Sequence, residues 1–82
     1  MLMNEPRFYM SADLRAATGV SRTTLDYYLR SGLVTASARS ETGFLLFSED
    51  DKRRLLRIVE LKRQGRSLRE IRQALEQEGS PS

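Results

Sequence analysis

A glycine set between two helical patterns constrains this chain more than any other feature. Thr18-Gly19-Val20-Ser21 interrupts one pattern, and Arg22-Thr23-Thr24-Leu25-Asp26-Tyr27-Tyr28 begins the next. Glycine accepts a positive φ that a side chain resists, so Gly19 permits a sharp turn. Ser21 suits an N-cap, its hydroxyl accepting from the free backbone N–H groups of the second helix. Ser31-Gly32-Leu33 then ends that helix, with Gly32 as a C-cap. The expected order is helix, tight turn, helix, the second helix covering about 22–30.

Hydrophobic spacing fills in the rest. Met10, Leu14 and Ala17 recur at helical spacing, with Ser11 before Asp13 as a start, and predict a short first helix. In the second helix Leu25, Tyr28 and Leu29 share one face, which leaves Arg22, Thr23, Asp26, Tyr27 and Arg30 toward solvent or a ligand. Thr24 is either part of the helix start or a reader of a ligand. From Thr35 to Phe47 the pattern changes: Ser37-Ala38-Arg39 and Gly43-Phe44-Leu45-Leu46-Phe47 flank the polar tip Ser40-Glu41-Thr42, as two short strands around a turn do. The run Phe44–Phe47 also fits the beginning of a helix, but Ser48 followed by Asp51 reads as a fresh N-cap. A third helix is expected over about 49–64, burying Leu55, Ile58, Val59 and the aliphatic stem of Lys62, with Leu56 and Leu61 broadening the face and Gly65 as the stop. Ser67 with Glu70 forms a capping box for a fourth helix whose buried stripe is Leu68, Ile71 and Leu75. The chain divides into a lead-in over 1–8, one domain over 9–77 and a tail or linker start over 78–82.

Composition narrows the function classes. Eighty-two residues support one small core and leave little room for an enclosed pocket. With no histidine and no cysteine, the usual metal ligands, the thiol nucleophile and the commonest general base are missing. No enzyme activity, cofactor or metal is therefore expected. No apolar run approaches the roughly 18 residues that cross a bilayer, and the start lacks a signal-peptide pattern, so no membrane partner and a cytoplasmic location are expected. The net charge of +3 is modest. More telling is the local excess of Lys52, Arg53, Arg54, Arg57, Lys62, Arg63, Arg66, Arg69 and Arg72, opposed between Lys52 and Arg72 only by Glu60 and Glu70. Such a face suits an acidic partner, although helical charge runs are commonly just solvated.

The pieces Thr18-Gly19-Val20-Ser21, Thr24-Leu25-Asp26-Tyr27-Tyr28, Gly32-Leu33, Gly43-Phe44-Leu45-Leu46-Phe47-Ser48-Glu49-Asp50-Asp51 and Gly65-Arg66-Ser67-Leu68-Arg69-Glu70-Ile71, in this order from about Tyr9 to Leu75, resemble the DNA-binding domain of the MerR family of bacterial transcription regulators. The resemblance implies a mostly α fold, a winged helix-turn-helix with four helices and a small β-hairpin wing between helices 2 and 3. It implies sequence-specific binding of double-stranded DNA in transcription regulation, with the second helix in the major groove and the wing, about 36–47, on the backbone. Ser21, Arg22, Thr23, Tyr27 and Arg30 then fall on the recognition helix, and Arg39, Ser40 and Thr42 on the wing, with Arg53 and Arg54 beside it. Arginine pairs bidentately with guanine or phosphate, and hydroxyls position backbone oxygens.

Three departures stand out. Asp26 occupies a place where the family usually has arginine, and Leu45 replaces a second arginine in the wing. A carboxylate at a DNA surface is repelled by phosphate unless it accepts from a cytosine amino group or pairs with Arg22 or Arg30 one turn away. The family's long dimerisation helix and effector region do not appear in these residues, so the isolated chain is expected to be a monomer or weak dimer. Other readings of the same scaffold are a module that binds RNA polymerase or another protein, and an excisionase-like architectural factor that bends DNA.

Overall fold

The computed structural model describes residues 8–78; the remainder of the expected lead-in and tail lies outside them. Within it are four helices, α1 (Ser11–Thr18), α2 (Arg22–Ser31), α3 (Glu49–Arg63) and α4 (Leu68–Glu78), and two strands, β1 (Ala38–Arg39) and β2 (Leu45–Leu46), between α2 and α3. The strands pair antiparallel with Ala38 opposite Leu46 and Arg39 opposite Leu45.

Local chemistry sets most boundaries. Gly19 adopts φ 78° and its N–H donates to the Arg15 carbonyl, which ends α1 and turns the chain into α2. At the head of α3 the Ser48 hydroxyl accepts from Asp51 N–H at 3.1 Å while the Asp51 carboxylate accepts from Ser48 N–H at 2.9 Å, a reciprocal box that satisfies two free donors. Ser67 and Glu70 repeat the arrangement at α4, at 3.1 and 2.9 Å. Gly65, at φ 89°, and Arg66 donate back to Lys62 and Leu61 and close α3 in a Schellman turn.

The core joins all four helices: Leu14 of α1, Leu25 and Tyr28 of α2, Leu33 and Val34 after it, Phe47 just past β2, Leu55, Ile58 and Leu61 of α3, and Ile71 and Leu75 of α4. Three expectations are corrected. Met10 is 41% exposed because it precedes α1 in extended conformation and so stands off the helical stripe, and Ala17 is also exposed. In α3 the buried row is Leu55, Ile58 and Leu61, which puts Val59 at the edge, half-buried, and leaves the Lys62 stem exposed. Leu56 lies outside that row and is exposed.

The hairpin is fastened at its base. Tyr9 bridges to Phe47 through two backbone hydrogen bonds, of 2.7 and 2.8 Å. The Tyr9 hydroxyl donates to Glu49 at 2.7 Å and accepts from Lys52 at 3.2 Å, and Lys52 pairs with Glu49 at 3.0 Å. The Ser37 hydroxyl meets Ser48 and Asp51 at the start of α3.

Candidate nucleic-acid interface

Helix α2 is held at one rotation by Leu25 and Tyr28, both buried, so the residues between them face outward. Arg22, Thr23, Asp26, Tyr27 and Arg30 are all exposed. Tyr27, 44% exposed, lies beside Tyr28 with ring centroids 6.0 Å apart. Burial, with Tyr27 adding to it, pushes the pKa of the Tyr28 hydroxyl up, so Tyr28 stays protonated and serves the core. Ser21 belongs to the helix start: its hydroxyl accepts from Thr24 N–H at 3.1 Å and donates to the Thr24 hydroxyl at 3.0 Å. That exchange also gives Thr24 its role as the capping partner.

The exposed surface of α2 divides into two flanks. On the hairpin side an open groove of about 430 Å³ brings Arg22 and Asp26 together with Met10 and Asp13 of the α1 end and with Phe44 and Leu45 of the hairpin. On the other side a groove of about 350 Å³ joins Thr23, Tyr27 and Arg30 to Lys62 and Leu68. The first flank sets Arg15 and Arg22 among the acids Asp13 and Asp26 and apolar groups, of which Phe44 is 57% exposed; the second carries cations and hydroxyls only around its apolar floor.

Among the cations of α3 and α4 the sequence singles out Arg53 and Arg54, and the structure sorts the set differently. Arg54 Nε donates to the Leu33 carbonyl at 2.6 Å, and Arg72 donates to the Ser31 carbonyl at 2.9 Å; both hold the end of α2 and the segment after it. Arg57 grips Glu78 through two nitrogens, which keeps the Arg57 pKa raised and the Glu78 carboxyl below its ordinary value. Arg53 pairs with Asp50 at 2.8 Å, a contact so exposed that it adds little to stability but offsets the charge. Arg63 approaches Glu60 at 3.7 Å. The Tyr9 hydroxyl, and then Lys52, hold the Glu49 carboxyl below its ordinary value. Among the described residues, no side-chain hydrogen bond or ion pair engages Arg22, Arg30, Lys62, Arg66 or Arg69.

The wing residues divide similarly. Arg39 reaches the Gly43 carbonyl at 3.2 Å and remains exposed. Ser40 builds the turn, its hydroxyl accepting from Phe44 N–H at 3.0 Å and lying 3.1 Å from that of Thr42. Of the residues singled out from sequence, the structure places Arg22 on the hairpin flank of α2, Thr23, Tyr27 and Arg30 on its other flank, and Arg39, Ser40 and Thr42 on one hairpin. It gives Ser21, Ser40 and Arg54 bonds within the fold. Lys62, read from sequence only as one member of the basic excess and as a stem against the core, stands beside Arg30; that neighbour depends on how α3 packs against α2.

The description "MerR HTH family regulatory protein" fits residues 9–78. The chain is 38% identical over 68 residues to the HTH-type transcriptional regulator CueR of Bacillus subtilis, covering 83% of this chain and 47% of that protein. A MerR-family transcriptional regulator from Bacillus cereus superposes with a TM-score of 0.84 at 27% identity, covering 92% of this chain and 56% of the other. HiNmlR, a MerR family regulator lacking the sensor domain and crystallised bound to promoter DNA, superposes with a TM-score of 0.78 at 31% identity, covering 85% and 53%. The chain spans about a third to a half of the length of the curated relatives it matches.

Proposed function

The chain belongs to the MerR HTH family of regulatory proteins, and from that premise we propose that it binds double-stranded DNA sequence-specifically in transcription regulation. Helix α2 enters the major groove, where Arg22, Thr23, Tyr27 and Arg30 meet base edges and phosphates, and the hairpin lays Arg39 and Thr42 on the neighbouring backbone. Ser21 and Ser40 keep these elements in shape. Arg54 is engaged by Leu33 and Arg53 is offset by Asp50, so the phosphate role expected of that pair passes largely to Lys62, Arg66 and Arg69. The observation that carries the reading is the rotation of α2, which buries Leu25 and Tyr28 and turns Arg22, Thr23, Tyr27 and Arg30 outward, with Asp26 among them.

The protein acts by occupying DNA and by contacts with polymerase, not by catalysis, and it works in the bacterial cytoplasm. Residues 9–77 form the binding unit, a monomer or weak dimer that DNA aligns with a second copy. Titration against a genomic fragment library at several salt concentrations tests this. Binding that weakens steeply with salt and concentrates on few fragments supports the reading, and failure to bind any fragment at low salt refutes it.

One observation favours a second reading, that of a MerR-like module docking another protein through the hairpin flank: Phe44 and Met10 are exposed in a groove where Leu45 supplies no cation. Capture of a stoichiometric protein partner that survives Arg22→Ala and Arg39→Ala but is lost with Leu45→Asp decides for it.

A further inference from the structure

Asp26 is the one acid of α2, and among the described residues no hydrogen bond or ion pair engages its side chain. The acids of α1 and α3 are all engaged: Asp13 accepts from Met10 N–H, Glu49 from Tyr9, Asp51 from Ser48 N–H, and Asp50 and Glu60 pair with arginines. Asp26 sits beyond the first turn of its helix, where the dipole no longer favours a negative charge. Aspartate is also a poor residue for a helix interior. Arg22 and Arg30 stand one turn before and after it, at ion-pair spacing, yet among the described residues neither comes within bonding distance of its carboxylate. The side chain is exposed on the hairpin flank, on the same side as Arg22.

From this we infer that Asp26 is a specificity-determining residue that accepts a hydrogen bond from the exocyclic amino group of a cytosine in the major groove. The inference rests on the DNA-binding reading above. A carboxylate carried toward a polyanion lowers affinity everywhere except where its lone pairs meet a donor. Guanine presents only acceptors in the major groove, and thymine an acceptor and a methyl group. Adenine offers an amino group, but beside the N7 acceptor, whose lone pair opposes a carboxylate; the cytosine amino group has only a C–H next to it in its own ring. Asp26 therefore acts by selection as much as by attraction: it rejects three bases and accepts the fourth. Arg22, one turn earlier and about 6 Å along the axis, reads or anchors the adjoining position.

The test is selection from a randomised duplex library with the 82-residue chain and two variants, with thermal unfolding run in parallel to establish that each variant folds. The wild type is expected to enrich one position for cytosine by roughly five- to one-hundred-fold. Asp26→Asn is expected to switch that position to adenine, because a carboxamide pairs with the adenine amino group and N7 together. Asp26→Ala flattens it and leaves the other enriched positions in place. Unchanged base preferences in both variants, or a uniform tightening on all sequences, overturn the inference while leaving DNA binding intact. If the wild type itself enriches no sequence at low salt, the DNA-binding reading fails and the inference with it.

Discussion

The two flanks of α2 share a helix and differ in almost everything that a ligand would sense. Toward α3 and α4 the helix presents Thr23, Tyr27 and Arg30 beside Lys62, while toward the hairpin it presents Arg22 and Asp26 beside Phe44, Leu45 and Met10. The first flank carries cations without an acid, and the second sets Asp13 and Asp26 against Arg15 and Arg22. The difference teaches that charge summed along a sequence is a poor guide to a binding surface: several of the nine cations between Lys52 and Arg72 act inside the fold, on carbonyls or carboxylates, and among the described residues Lys62, Arg66 and Arg69 do not.

The severest way to break the comparison is to remove what holds the hairpin flank together. Phe47 is fully buried and forms the backbone bridge to Tyr9. Phe47→Ala is expected to cost about 3–5 kcal/mol, read by urea unfolding, a large share of the stability of a domain this size. A smaller loss is expected at the turn into α2. A Cβ at Gly19 meets nothing within 4 Å, so Gly19→Ala carries only the strain of its φ of +78°, about 1–2 kcal/mol by the same measurement.

Salt dependence sharpens the contrast further. Arg30→Ala and Lys62→Ala should each reduce the slope of log affinity against log salt by about 0.9, as loss of one phosphate contact does. Arg53→Ala should leave the slope nearly unchanged, because Asp50 already offsets that charge. The smallest expected effect is on pH. Glu49 and Glu78 titrate below their ordinary value of 4.5 in the folded protein, so folding binds their protons more weakly than the unfolded chain does. Their contribution is present above 4.5 and disappears as pH falls through their lower folded values. Melting temperature followed by circular dichroism should fall across that acid range, and Glu49→Gln should blunt the fall.

Local features of the fold were legible in the sequence because they depend on neighbours along the chain. The caps at Ser21, Ser48 and Ser67, the turn at Gly19 and the hairpin around Ser40–Gly43 all lie within a few residues of their partners. The outward side of α2 was legible to the same extent, since the positions of Leu25 and Tyr28 dictate which of its residues are exposed. What the sequence did not disclose was the fate of each cation. Arg72 meets Ser31 across 41 residues and Arg57 meets Glu78 across 21; such partnerships follow from packing angles, which periodicity does not encode. The same blindness misplaced Lys62, whose stem was assigned to the core because a helical stripe read without its neighbours has no sharp edge.

The bridge between Tyr9 and Phe47 has a mechanical consequence. Two short backbone bonds tie the hairpin's base to Tyr9, whose hydroxyl is in turn held by Glu49 and Lys52 of α3, so the hairpin is not a loose flap. Because Phe47 is fully buried, any load carried down the hairpin, as by the duplex of the proposed reading, would be taken up at the hydrophobic centre of the molecule.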